Sequence, residues 1–210
     1  MKDTLAGAFV PRWHSLPPEP DDSAHWQRWT EFFAEILLHG WTHRREHRPG
    51  LVSLVTGRAD ELAGLLPRDV AARVAAGRSE LEEIIGRPIT GFVPPAWQLP
   101  GGFAALRETG LEYSVGFRRL ESSQPLRIPL ATYSWDWGRL PLVGRLGAQL
   151  GTCFRLITPH AIPVIVLHPA DVDRGSVSPA VARIRQLKDT GWQAVRFATL
   201  RSAASRRETA

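Results

Sequence analysis

Two histidines at the end of an apolar run are the residues of this chain whose type and spacing most directly indicate chemistry. The apolar run 36–38 is followed by the segment HGWTH, in which His39 and His43 flank three residues, the first of them Gly40. Two imidazoles at this spacing can converge on one metal ion of the zinc or late first-row type, and Gly40 permits the tight backbone that this needs. The alternative interpretation is an ordinary loop in which Trp41 fills the core.

A third histidine also follows an apolar run. The segment VIVLHP places His168 after a candidate strand, and Asp136 lies in the segment WDWG. An imidazole titrates near neutral pH and can protonate a leaving amine, so His168 is a candidate general acid, and Asp136 is a candidate to orient its ring. Together with a metal that polarises a carbonyl, these groups describe the hydrolysis of an amide or ester. A strand-end histidine bonded to the backbone and an aspartate in a turn are the alternatives.

Apolar runs and helical repeats alternate along the chain, and the strands and helices that they predict must position the candidate residues. Strands are predicted at about 4–10, 35–38, 90–93, 112–115, 128–135, 164–167 and 193–197. Helices are predicted at about 23–33, 67–85, 101–109, 140–156 and 177–190. The pattern favours a parallel α/β sheet of about seven strands, closed into a barrel. The unusual residues that follow the strands are His14, His39, His43, Pro95, Trp97, Asp136 and His168. They would share the carboxyl edge, which carries the active site in α/β barrels.

Composition indicates one globular domain. The 210 residues are 43% hydrophobic and 22% charged, which is ordinary for a folded protein. We predict a single domain over residues 1–200 and a polar basic tail at 201–210. No apolar run is long enough to span a membrane, and the amino-terminal segment is a poor secretory signal, so a cytoplasmic location is expected. The only cysteine, Cys153, excludes an internal disulfide.

The positive charge is the one compositional feature that could indicate a polyanionic partner. The formal net charge is +5 and the isoelectric point is near 10.3. The arginines are spread along the chain and no nucleic-acid motif is visible, so a solvated basic surface is favoured and no nucleic-acid partner is expected.

Four segments resemble the motifs of the polysaccharide deacetylases, carbohydrate esterases with the NodB-homology fold. HGWTH at 39–43 is similar to the metal-binding His-(Ser/Thr)-x-x-His motif, and GFVPPAW at 91–97 to the Arg-Pro-Pro motif that walls the groove. WDW at 135–137 is similar to the Asp and Trp motif, and VLHP at 166–169 to the Leu-x-His motif that carries the catalytic acid. The variants look most like a less studied, deacetylase-related bacterial branch.

The resemblance implies a distorted (β/α)7 barrel, TIM-barrel-like in form, and a metal-dependent hydrolase. Its reaction would remove an acyl group, typically acetyl, from an N-acetylated sugar, a related amide or a carbohydrate ester, with a small molecule or a polysaccharide as substrate. A divalent metal, expected to be zinc, would be held by His39 and His43, and the catalytic residues would be His168 and Asp136. The expected substrate-binding residues are Pro95, Trp97, Trp135 and Trp137.

Two departures from the family pattern bear on activity. The family's Asp-Asp pair, which supplies the base and a third metal ligand, is not found in its expected setting, since Asp21 and Asp22 follow a proline-rich loop. Val93 stands where the family has arginine before Pro-Pro. Asp171 and Asp173 are expected in a solvated loop.

The beginning of the chain fits the family's second strand, so we expect a truncated amino terminus that lacks the first strand. The alternative to an enzyme is a catalytically inactive barrel that binds carbohydrate through its tryptophans.

Overall fold

A curled seven-stranded sheet with helices on both faces dominates the fold. The computed structural model describes residues 4–16, 23–46, 56, 58–123, 126–135 and 141–208. In these ranges the strands, in chain order, are β1 Ala6–Phe9, β2 Glu35–Leu38, β3 Gly91–Phe92, β4 Tyr113–Val115, β5 Arg119–Ser122, β6 Arg127–Ser134 and β7 Ile162–Val166. The helices are α1 Ser23–Phe32, α2 Pro67–Ile85, α3 Pro141–Ile157, α4 Ala170–Asp173, α5 Val177–Asp189 and α6 Phe197–Glu208.

The strands lie in the sheet in their chain order. Pairing is parallel from β1 to β4 and again between β6 and β7, whereas β5 runs antiparallel to both of its neighbours. In the described part of the chain no pairing joins β7 to β1, so the sheet is an open half-barrel. The predicted distorted barrel is therefore confirmed in partial form.

Burial on both faces explains why β2 is continuously apolar. Ile36 and Leu38 pack with Val70 and Val74 of α2 in an outer cluster. Leu37 lies on the concave face, in an inner cluster whose buried members are Leu37, Val93, Tyr113, Val115, Leu120, Leu126, Ile128, Leu130 and Val164. All three strand residues are at most 7% exposed. A parallel strand covered on both sides loses the alternation of apolar and polar residues, and its register is held by burial.

Helix α2 has the boundaries that the sequence predicts. Pro67 lies in its first turn, where a missing N–H costs no hydrogen bond, and Gly86 ends it in the left-handed region with φ +68°. Its buried residues recur at helical spacing and include Val70, Val74 and Leu81. The helix therefore lies along the back of β2, beneath the loop that leaves this strand.

Three predicted elements are wrong. The segment between β4 and β6, for which the sequence predicts no strand, contains β5, and the sheet is therefore mixed and not wholly parallel. The predicted helix at 101–109 is a shorter 3-10 helix, Gly102–Leu106. The predicted last strand at 193–197 does not form, because Phe197 begins α6, which continues through most of the expected tail at 201–210.

Helix α6 covers the concave face of the half-barrel. Its residues Phe197, Ala198, Leu200 and Ala204 pack against the inner cluster, to which β2 and the strands from β4 to β7 contribute buried residues. Its first N–H groups bond to the carboxylate of Glu35, which is 9% exposed.

None of the described helices combines the length and apolar character required to cross a membrane.

Candidate metal centre

The loop after β2 leaves the sheet between the carboxyl ends of β1 and β3. The backbone N–H of His39 donates to the carbonyl of Phe9 at 2.7 Å, and the N–H of Val93 donates to the carbonyl of Leu38 at 2.8 Å. Gly40 then turns the chain with φ +76°, and a Cβ at this position would collide with the Glu61 carboxylate. Only glycine fits this turn, as the sequence indicates.

The imidazoles of His39 and His43 face each other. Their Nε2 atoms are 3.0 Å apart, and Nδ1 of His39 lies 2.9 Å from the carbonyl oxygen of Val93. Because a carbonyl only accepts, Nδ1 carries the proton and donates, and Nε2 presents its lone pair towards His43. A second ring nitrogen bonded to a backbone carbonyl is the usual arrangement of a metal-binding histidine.

The surroundings keep His39 neutral. Burial lowers the pKa of His39 from 6.5 to about 3; the charges of His43 and, to a smaller extent, His168 lower it too, and the hydrogen bond to Val93 opposes them. A neutral imidazole is the form that binds a metal ion.

These two side chains fit a divalent ion as a pair of ligands. Nitrogen ligands lie about 2.0–2.1 Å from zinc, so two of them at the tetrahedral angle are about 3.3–3.4 Å apart. The observed separation of the Nε2 atoms, 3.0 Å, is a few tenths of an ångström shorter, so a small movement of one ring would admit the ion. Within the described ranges, no group of three or more His, Cys, Asp or Glu side chains is arranged to hold a metal.

A buried carboxylate lies beneath the histidine loop. Glu61, which is 1% exposed, accepts hydrogen bonds from the backbone N–H groups of Trp41, Thr42 and His43 at 2.8–3.2 Å. Arg73 of α2 donates its Nε–H to the same carboxylate at 2.6 Å. Sequence reasoning missed both residues, since Glu61 follows a segment without periodicity and Arg73 reads as a solvated helix residue.

His43 has a conformation that is uncommon for a side-chain-bearing residue, with φ +52°. Its ring is stacked on Trp13 with a centroid distance of 5.0 Å, and Trp13 is stacked in turn on His14 at 4.7 Å. The structure thus places His14, which follows β1, next to the loop. Strained backbone of this kind is characteristic of functional sites.

The loop after β3 forms the neighbouring wall. Pro95 is buried, and its ring lies close enough to Gly40 that a Cβ there would meet it at 2.6 Å. Ala96 and Trp97 both have positive φ, at +49° and +59°. The Trp97 ring contacts Phe117 edge-on at 5.6 Å and packs against the inner cluster. Their predicted role in substrate binding stays a prediction.

His168 follows β7, and its backbone is held by Asp171, which the sequence analysis expects in a solvated loop. Asp171 accepts the backbone N–H of His168 at 2.8 Å, and the same oxygen lies 3.9 Å from its Nδ1. Asp171 is fully buried, whereas the side chain of His168 is 30% exposed. The expectation of a solvated loop is wrong for Asp171, because its carboxylate turns inward at the start of α4.

The tryptophan segment after β6 is described only at its beginning. Trp135 is 9% exposed and packs with Ala131 and Tyr133, which leaves little of its ring open. Its predicted role in substrate binding stays a prediction. Asp136 and Trp137 lie outside the described residues.

Comparison with known proteins relates the chain to one fold. No protein-family model and no curated protein sequence matches it. A solved structure of a family 4 acetyl xylan esterase from Clostridium thermocellum, in complex with a cobalt ion, superposes with a TM-score of 0.51 at 16% identity. The match covers 96% of this chain and 80% of that one.

A mutant of a CE4 family pseudoenzyme superposes equally well, with a TM-score of 0.51 at 13% identity. Here 93% of this chain matches 57% of that one. At these identities the likeness shows the fold alone, and this fold is the polysaccharide-deacetylase type that the sequence motifs predict.

Proposed function

We propose that this chain is a metal-dependent hydrolase that removes an acetyl or similar acyl group from an N-acetylated sugar, a related amide or a carbohydrate ester. One observation carries the proposal: the Nε2 atoms of His39 and His43 lie 3.0 Å apart, with Nδ1 of His39 bonded to a carbonyl. Such a pair serves as two ligands of one ion. The fold shared with an acetyl xylan esterase supports it.

The residues of the site would divide the work between them. His39 and His43 would hold a divalent ion, which would supply a Lewis acid for the acyl carbonyl. Water would add to the acyl carbon, and His168 would protonate the leaving nitrogen or oxygen as its bond to that carbon breaks, which releases the carboxylic acid. Asp171 fixes the backbone of His168, and Pro95 and Trp97 form a wall beside the histidine loop.

Imidazole donors suit zinc and other late first-row ions, so zinc is the ion proposed. Asp136, which lies outside the described residues, stays a prediction as the partner of His168. A cytoplasmic location likewise stays a prediction.

Zinc binding by calorimetry on chelator-treated protein tests the proposal. We expect one-to-one binding by the wild type and its loss in His39→Ala. The matched control is His160→Ala, an exposed histidine that precedes β7 at the opposite edge of the sheet. We also expect the zinc-loaded wild type to release acetate from N-acetylated oligosaccharides or acetylated xylan. Absence of zinc binding by the wild type would overturn the proposal.

A carbohydrate-binding barrel without turnover is the second candidate. It is favoured by the two-histidine site, since the described residues bring no third metal-binding side chain to it. The pseudoenzyme with the same fold is consistent with it. Saccharide binding without acetate release, in zinc-loaded protein, would select this candidate over the hydrolase.

A further inference from the structure

The carboxylate of Glu61 is surrounded by donors from one short loop. Its Oε2 accepts the N–H of His43 at 2.8 Å, and both of its oxygens lie 3.1–3.2 Å from the N–H groups of Trp41 and Thr42. Three successive amides that point at one anion form a concave nest, which a carboxylate fills well. Glu61 therefore fixes the path of the loop between the two histidines.

A guanidinium compensates the buried charge. Arg73 donates Nε–H to Glu61 at 2.6 Å and N–H to the hydroxyl of Thr42 at 2.9 Å, and its guanidinium lies over the Trp41 ring at 5.4 Å. A buried carboxylate without such a partner would carry a large desolvation penalty. The pair therefore acts as one unit, anchored on α2 beneath the loop.

The geometry of His43 depends on this unit. His43 has φ +52°, and its N–H makes the shortest of the backbone hydrogen bonds to Glu61. The Glu61 carboxylate offsets part of the cost of that backbone conformation, together with the stacking of the ring on Trp13. Relaxation of the backbone would turn the ring of His43 away from His39.

We propose that Glu61, balanced by Arg73, is the positioning residue of the metal centre: it holds the strained loop so that Nε2 of His43 faces Nε2 of His39. This inference rests on the proposed function, because it concerns the same two ligands. Glu61 itself makes no contact with the ligand atoms and acts through the backbone of the loop.

The substitution Glu61→Gln tests the proposal with little change in shape. It removes the charge and presents an NH₂ group to donors, so we expect the affinity for Co²⁺ and Zn²⁺ to fall about 10- to 100-fold. The matched control is Glu82→Gln, since Glu82 also accepts a backbone N–H, from Ile89 at 2.7 Å, and an arginine Nε–H, from Arg78 at 2.9 Å. This control should keep the wild-type affinity and the visible spectrum of bound Co²⁺.

Amide hydrogen exchange on metal-free wild-type protein supplies a measurement that does not depend on the variant folding. The amides of Trp41, Thr42 and His43 should exchange slowly, and in folded Glu61→Gln they should exchange at least about tenfold faster. Fast exchange of these amides in the wild type would overturn the inference.

The outcomes separate the inference from the function on which it rests. Lack of ion binding by the wild type overturns the proposed function and the inference with it. Wild-type binding with unchanged affinity in folded Glu61→Gln overturns the inference alone, and an equal loss of affinity in Glu82→Gln does so too, because the effect would then be general destabilisation.

Discussion

The buried, neutral imidazole of His39 makes the stability of the metal-free protein depend on pH. Burial, with the charge of His43, holds the pKa of His39 at about 3, below its ordinary value of 6.5. Between these values the unfolded chain binds more protons than the folded one, so the free energy of unfolding rises with pH. The contribution of His39 is complete above about pH 6.5 and is lost as the pH falls through this window towards 3.

Urea denaturation of metal-free protein between pH 4 and pH 8, at about one-unit steps, measures this dependence. We expect a flatter pH profile in His39→Asn, and an unchanged profile in the control His25→Gln, since His25 is exposed. Parallel profiles for His39→Asn and wild type would contradict the assignment.

Asp171 allows a test of the candidate acid apart from the metal. Asp171→Asn removes the charge beside His168, and we expect acetate release to fall about 10- to 100-fold, part of the 10²–10⁴ that a general acid supplies. Zinc affinity should stay unchanged, because Asp171 contacts neither His39 nor His43 in a described hydrogen bond. Asp173→Asn is the control, since Asp173 is exposed on the same short helix. Equal activities of the two variants would exclude the role of Asp171.

For single residues, the sequence predicts the position of those side chains that local spacing brings together. His39, His43 and Gly40 could be found because a strand end and a short loop place them together. Asp171 was misassigned and Glu61 was missed, because the burial of each is decided by what packs over it. A carboxylate that accepts amides from another loop has no local sequence pattern.

Among the elements, α6 depends on a carboxylate from a distant strand. Glu35 accepts the N–H groups of Phe197 and Ala198 at 2.8 and 2.9 Å and the hydroxyl of Tyr113 at 2.5 Å. Burial, together with the charge of Glu35, raises the pKa of Tyr113, so its hydroxyl stays a donor. This contact explains why the apolar end of the predicted strand at 193–197 becomes the first turn of a helix.

We expect Glu35→Gln to lower the free energy of unfolding by about 2–4 kcal/mol, since an NH₂ group replaces one of the two oxygens that accept from Phe197, Ala198 and Tyr113. Urea denaturation measures the loss. Glu31→Gln, in the exposed part of α1, should change stability by no more than about 0.5 kcal/mol. A Glu35→Gln variant as stable as this control would show that α6 is held by its apolar face alone.

Element boundaries were predictable where periodicity and breakers agree, as they do for α2 with Pro67 and Gly86. The strand β5 was not, because only Leu120 of its four residues is apolar and the strand is defined by pairing with both neighbours. Tertiary hydrogen bonding thus decides the elements that local propensity leaves open.

On the scale of the whole molecule, the inner cluster joins the half-barrel into one unit. Residues from β1, β7 and α6 pack against the same inner cluster, as Ala6, Val166 and Leu200 show. The open sheet should therefore unfold with α6 in a single transition, although β1 and β7 are not paired in the described residues.

Leu200→Ala tests this coupling. Leu200 is partly buried, so we expect a loss of about 1–3 kcal/mol with one cooperative transition retained in calorimetry. Thr199→Ala, on the exposed side of α6, serves as the control. Separate transitions in wild-type protein would mean that the cluster does not couple the sheet to the helix.

The stacking of Trp13 on His43 gives this centre an optical property of its own. The ring of Trp13, which is 55% exposed, lies 5.0 Å from the ring of His43, a candidate ligand. A change of charge on this imidazole would alter the energy of the excited state of the indole. Its emission should therefore report ion occupancy in unlabelled protein. The difference between wild type and Trp13→Phe would isolate this signal from the other indoles among the eight tryptophans of the chain.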